Sequence, residues 1–112
     1  MDSLKKYQDA IVSLLEEYAA IKPANMPDIQ HQILADRERN HFALVRLGWT
    51  QGKFVYHCVM HFDIIEGKVW LQQNRTDQDL AEELIQKGVT RQDIVLGFVP
   101  PYARAHSGFA AA

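Results

Sequence analysis

Residues 68–101 read KVWLQQNRTDQDLAEELIQKGVTRQDIVLGFVPP, a stretch whose physics specifies a fold segment in detail. Lys68 to Gln73, which follows the Glu66-Gly67 turn, reads as a strand. Thr76 with Asp79 three residues on is a weak capping box, so a helix is expected to start there. Leu80, Ala81, Leu84 and Ile85 supply its apolar stripe, and Gly88 takes the C′ role that ends it. Thr90 with Asp93 repeats the start signal ahead of Ile94, Val95, Leu96 and Phe98. That second element is a helical turn, or a turn leading into a final extended segment. Pro100-Pro101 stops it. Every signal here is a folding instruction; none is a reactive group.

Upstream, Leu4, Tyr7, Ile11, Leu14, Leu15 and Tyr18 recur at helical spacing, with Ser3 as the N-cap and Pro23 as the stop. Ile29 to Asp36 can form a strand, followed by a charged turn at residues 37–40. His41 to Trp49 forms a second strand, and Lys53 to Ile65 a long third. Gln51-Gly52 and Glu66-Gly67 read as the connecting turns, although neither is the Asn-Gly pair that most favours a two-residue hairpin. The expected fold is α+β: an N-terminal helix, a four-stranded antiparallel meander sheet, a C-terminal helix and a short helical turn, in a single domain over residues 1–112.

Composition bounds the function. Hydrophobic residues make up 47% and charged residues 23% of the 112-residue chain, which fits a globular domain with one core and argues against disorder. The net charge of −2 lacks the basic excess usual in a dedicated nucleic-acid binder. Cys58 is the single cysteine, so no internal disulfide forms and a reducing, cytoplasmic setting is expected. No apolar run approaches the roughly 20 residues that span a bilayer.

Strict alternation along the third strand sends Tyr56, Cys58, Met60, Phe62 and Ile64 to one face and His57, Val59, His61 and Asp63 to the other. Two-residue turns would set Ile64 opposite Val69, Phe62 opposite Leu71, Asp63 opposite Trp70 and His61 opposite Gln72. They would also set Val45 opposite Cys58 and Leu44 opposite Val59. The first face is strongly apolar and expected to lie under the helices. The second mixes Phe42, Leu44, Val59 and Trp70 with His57, His61, Asp63 and Arg46. Burying a Phe-sized side chain is worth about 1.5–3 kcal/mol, so this mixed face is expected to be covered by the tail or by a second subunit, with a subunit contact favoured.

Candidate chemistry is sparse. His57 and His61, four apart on a strand, are separated by roughly 13 Å and cannot share an ion. His61 and Asp63 could supply two ligands, with a third from His41, His31 or another chain; the expectation is nonetheless a polar sheet face with no metal and no cofactor. Asp63, Glu66 and Lys68 superficially match the acids and lysine of metal-dependent nucleases, but Glu66-Gly67 is the turn itself. Cys58 is read as a small buried hydrophobe and His106-Ser107 as a chance pair with no orienting acid. The tail, with Tyr102, Arg104 and Phe109 among small residues, is a loose terminus or an ordered arm docked on its own sheet or a partner.

The chain resembles the XisI family, the controlling factor for excision of the fdxN element in cyanobacteria. The resemblance runs through DRERNHFALVRLGW at Asp36 to Trp49, VYHCVMHFDIIEGKVWLQQ from Val55, GVTRQDIVLGFVPPYAR from Gly88 and the closing SGFAAA. It covers nearly the whole sequence through many modest matches, none a catalytic signature. The chain departs at Asn74-Arg75, where a more acidic segment is usual, and at Thr90, where a proline is. The resemblance implies a non-enzymatic accessory to site-specific DNA excision during heterocyst differentiation. It implies an XisH-like, nuclease-fold protein as partner and only indirect association with DNA and a recombinase. Contacts are expected on the mixed face (Phe42, His57, His61, Asp63, Trp70) and the tail (Tyr102, Arg104, Phe109), in a homo-oligomer. The alternative is direct DNA binding, which needs Arg37, Arg39, Arg46, Lys53, Arg75 and Arg104 to cluster. A weaker third reading is a metal-dependent enzyme using His61 and Asp63.

Overall fold

Tyr7, Ala10, Ile11, Leu14 and Leu15 are all buried along one side of the first helix, α1 (Ser3–Ala19), the stripe its spacing demands. The structure is a computed structural model that describes residues 3–112. Ser3 already lies within α1 instead of capping it. Four strands follow: β1 (Ile29–Asp36), β2 (His41–Thr50), β3 (Lys53–Ile65) and β4 (Lys68–Asn74). Then come α2 (Leu80–Gln86), a 3₁₀ turn at Arg91–Asp93, β5 (Ile94–Leu96) and a second 3₁₀ turn at Pro101–His106. No helix among the described residues is long and apolar enough to cross a membrane.

The sheet has five strands in the order β1-β2-β3-β4-β5, which corrects the expected four. β1 to β4 form the antiparallel meander, and β5 pairs parallel to β4 through Val69↔Ile94, Trp70↔Val95 and Leu71↔Leu96. A parallel neighbour needs a crossover, and α2 supplies it. Asp79, not Thr76, caps α2: its carboxylate accepts from the Glu82 backbone N–H at 3.2 Å. The Thr76 hydroxyl is engaged locally, donating to Asn74 Oδ1 at 2.6 Å and accepting from the Gln78 N–H at 3.1 Å.

Both expected hairpin turns form. Gln51-Gly52 has φ of 50° and 75°, and Glu66-Gly67 has 50° and 79°, the left-handed pair of a type I′ turn. Near the turns the register is the expected one: Ile64↔Val69, Asp63↔Trp70 and Phe62↔Leu71 on one side, Val45↔Cys58 on the other. Farther away it slips twice. Leu44 pairs with Met60, leaving Val59 as an extra residue on β3, and His61 pairs with Gln73, leaving Gln72 as an extra residue on β4.

The first bulge redistributes the faces. Val59 and Met60 both join the core beneath the helices, with Phe62 and Ile64 continuing it on β3. Before the bulge, Tyr56 and Cys58 turn to the opposite, helix-free face; after it, His61 and Asp63 do so. Phe42 and Leu44, expected on the mixed face, are both 1% exposed and packed in the core. The core gathers α1, the central strands, Ile94 of β5, and Leu80, Ala81 and Leu84 of α2.

Polar ties fix the helices on this layer. The buried Gln8 side chain donates from Nε2 to the Arg37 carbonyl at 2.9 Å and to Asn40 Oδ1 at 2.7 Å, holding α1 to the β1–β2 turn. Tyr7 donates to Asp93 at 2.5 Å. The Tyr18 hydroxyl donates to the Glu83 carboxylate at 2.7 Å, and Lys87 pairs with Glu17, joining α1 to α2.

Candidate functional site

The helix-free face of the sheet is the candidate site. Register and alternation place Val45/Cys58, Leu47/Tyr56 and Trp49/Phe54 there as cross-strand pairs, with His41/Asp63 at the far end. Tyr56 is 62% exposed, and Trp49 and Phe54 are likewise open, their rings tilted with centroids 5.4 Å apart. Leu34 and Ile65 are exposed as well. Strict alternation puts Tyr56 beneath the helices; the bulge at Val59 explains why it is instead on the open side.

A closed polar network occupies the other end. Asp63 Oδ1 accepts from His41 Nδ1 at 2.8 Å and from His61 Nε2 at 2.9 Å, while Oδ2 accepts from Gln72 Nε2 at 3.1 Å. Burial pushes the Asp63 carboxyl up, but the hydrogen bonds from His41, His61 and Gln72 outweigh it and hold the group below the usual carboxylate range. The ligand atoms of His41, His61 and Asp63 lie within 4.8 Å of one another, so these three side chains could converge on a divalent ion. His41 Nδ1 and His61 Nε2 already donate to the carboxylate, so an ion bound through those nitrogens would have to displace two hydrogen bonds. The same bulge creates this cluster. Without the extra residue Val59, His41 would not stand opposite Asp63.

The tail is an ordered arm over the β4–β5 end of this face. Arg104 donates from Nε to the Val99 carbonyl at 2.9 Å and from Nη2 to the Gly97 carbonyl at 3.3 Å, and its guanidinium lies 5.0 Å from the Trp70 ring centroid. The Ala110 N–H donates to the Ile94 carbonyl at 2.8 Å, and Ala110 bridges to Val95. Phe109 packs against the core, with the Arg91 guanidinium 4.9 Å from its ring centroid. Tyr102 stands out at 85% exposure.

The expected contact residues therefore separate into four groups. His61, Asp63 and Trp70 share the open face, and Arg104 lies across Trp70. Tyr102 projects from the arm. Phe42 belongs to the core and offers no surface, and Phe109 anchors the arm. His57 is a correction of another kind: it lies on the helix side, in a groove with Tyr18 of α1, Ile21 just beyond that helix, Arg46 and Arg75. Trp49, Phe54 and Tyr56 were not singled out from sequence as contacts, although their aromatic character was available as a signal.

The six basic residues required for a DNA-binding patch do not assemble. Arg37 pairs with Asp9 at 2.9 Å and Arg39 with Asp36 at 3.2 Å, while Arg104 is spent on carbonyls and Trp70. Only Arg46 and Arg75 come together, in the groove beside His57. Burial, followed by the charges of Arg75, Arg46 and His31, holds the His57 imidazole below its usual value. Its folded pKa is thus lower than its unfolded one. Its contribution to stability is complete above about pH 6.5 and is lost as pH falls through the folded value. An NMR titration is expected to place the His57 midpoint below about 6.5, and Arg75→Ala to raise it.

A family model described as XisI protein matches residues 1–111. The chain belongs to the XisI family. It is similar to a solved XisI-like protein from Anabaena variabilis ATCC 29413, with 45% identity and a TM-score of 0.90 over 97% of this chain and 99% of that one. It is also similar to the solved fdxN element excision controlling factor XisI from the same strain, with 26% identity and a TM-score of 0.83 over 99% of this chain and all of that one (100%). A comparison with curated proteins gave no match. The α+β architecture of this chain is thus the architecture of solved family members.

Proposed function

We propose that this chain is a non-enzymatic accessory factor of the kind its relative's name describes, a controlling factor for excision of a DNA element in a cyanobacterium. In this reading it works in the cytoplasm through protein contacts: with further copies of itself and with an XisH-like companion that carries the nuclease-like fold. One observation supports this most strongly. The face that neither helix covers carries Trp49, Phe54 and Tyr56 in the open, and the docked arm reaches only its β4–β5 end. Exposed aromatic side chains on a face that also carries polar groups, here the His41–His61–Asp63 network at its far end, are the usual form of a protein-docking surface. Direct contact with DNA has less support, because Arg37, Arg39 and Arg104 already have partners.

Capture of the XisH-like companion by this chain, tagged at its N-terminus, tests the reading. Tyr56→Glu and Tyr102→Glu alter side chains that are 62% and 85% exposed, so folding by circular dichroism is expected to be unchanged. Together they are expected to weaken capture about tenfold or more, the scale of losing an aromatic anchor at an interface. Undiminished capture by the folded double variant would contradict the assignment of this face.

A further inference from the structure

The geometry points to a second binding site, independent of the open face: the groove on the helix side of the sheet takes a small organic phosphate such as a nucleoside monophosphate. His31, Arg46 and His57 are successive cross-strand partners on β1, β2 and β3, so they form one row across the sheet. Arg75 approaches from the segment between β4 and α2, its backbone N–H held by the Val59 carbonyl at 2.8 Å. Tyr18 near the end of α1 and Ile21 just beyond it close one side, and Leu44 and Val59 give an apolar floor. The groove, open to solvent along one side, has a volume of about 830 Å³, within the roughly 300–1,000 Å³ of small-molecule sites.

Charge identifies the ligand class. Arg46 donates from Nε to His31 Nε2 at 3.2 Å, and His31 Nδ1–H faces the Ala19 carbonyl at 3.4 Å. His31 is therefore neutral, and it holds the guanidinium by its inner nitrogen, leaving both terminal nitrogens for the groove. Among the described residues neither Arg46 nor Arg75 has an acidic partner, whereas Arg37, Arg39, Arg91 and Lys87 all do. Asp77 also lines the groove, yet its hydrogen bond comes from Gln78 Nε2 at 2.9 Å and it pairs with neither arginine. In a chain of net charge −2, two unneutralised guanidiniums in one concavity are an unmet demand for an anion. Their field is already felt by His57, whose protonation they oppose.

A guanidinium matches phosphate oxygens in a two-pronged fashion, and a pair of them suits a dianion. The apolar floor and the Tyr18 ring fit a flat organic moiety beyond it. A nucleic acid strand is a poorer fit, since Arg37, Arg39, Lys87 and Arg91 outside the groove already pair with carboxylates.

Isothermal titration calorimetry on the full chain with adenosine 5′-monophosphate, inorganic phosphate and adenosine tests this. The monophosphate is expected to bind, inorganic phosphate more weakly, and adenosine not measurably. Arg75→Ala, at an exposed position, and Arg46→Gln are each expected to weaken monophosphate binding about tenfold, the loss of one charge-assisted contact. In an NMR titration the bound monophosphate is expected to raise the His57 midpoint, which an ion bound elsewhere would not do. No binding of any of the three at millimolar concentration would overturn the proposal, as would affinity unchanged in both variants. Inorganic phosphate binding as tightly as the monophosphate, or a DNA duplex binding more tightly, would overturn the assignment to a small organic phosphate.

Discussion

Phe42→Ala is expected to lower the unfolding free energy by about 3–5 kcal/mol, the usual loss when a large core aromatic is truncated. Phe42 is 1% exposed, pairs across the strands with Phe62 and sits in the cluster that holds Ile11, Leu14 and Leu15 of α1. Small domains are stable by only about 5–15 kcal/mol, so this one change would remove a third or more of the total in most cases. At about 4–8 °C per kcal/mol, the melting temperature should fall by roughly 12 °C or more. Urea unfolding of the wild type and variant measures it. The prediction discriminates between the two placements of this side chain. On the open face Phe42→Ala would cost less than about 1 kcal/mol, as surface substitutions do, and would act on partner binding instead.

Gly48→Ala should be nearly as damaging, for a backbone reason. Gly48 has φ of 140°, and an added Cβ would stand 2.3 Å from the Asp28 carbonyl oxygen and 3.1 Å from Ile29 Cα. Neither atom is the end of a flexible side chain, so the start of β1 would have to move away from β2. Left-handed strain and displaced backbone together are expected to cost about 3 kcal/mol or more. Gly52→Ala is the internal control. Gly52 also has positive φ, 75°, but nothing lies within 4 Å of its added Cβ. It should cost only the conformational strain, about 1–2 kcal/mol. Equal losses for the two substitutions, measured by the same urea transitions, would show that the Asp28 contact does not matter.

Much of the fold was legible because local chemistry encodes it. The stripe of α1, the two glycine-containing turns and the register beside each turn follow from spacing and backbone preference. What was not legible begins at Val59. Period-two alternation has no symbol for an inserted residue, and Val59 and Met60 are both apolar, so the pattern looks unbroken where the strand bulges. That one residue moves Phe42 and Leu44 into the core, turns Tyr56 outward and brings His41 opposite Asp63. The cap of α2 was misplaced for a different reason. Thr76 and Asp79 are both good capping residues, and hydrogen bonds among Asn74, Thr76 and Gln78 select the second.

The candidate site was only partly legible. His61, Asp63 and Trp70 carry their polar or aromatic character openly, and alternation near the Glu66-Gly67 turn groups Asp63 with Trp70 correctly. Spacing does not distinguish a loose arm from a docked one, since the carbonyls of Gly97 and Val99 that hold Arg104 are backbone groups with no sequence signature. The groove of His31, Arg46, His57 and Arg75 was invisible for a topological reason. Its members come from three strands and a loop, and only the assembled register aligns them.

In the proposed function, the helix-free face is the surface that meets the companion protein. Chemical-shift mapping of the isotope-labelled chain on addition of an unlabelled XisH-like companion tests it most directly. The predicted result is perturbation concentrated at Leu47, Trp49, Phe54, Tyr56, His61 and Tyr102, with the outer surfaces of α1 and α2 unaffected. Perturbation confined to α1 and α2, with the open face unchanged in a saturated complex, would contradict it.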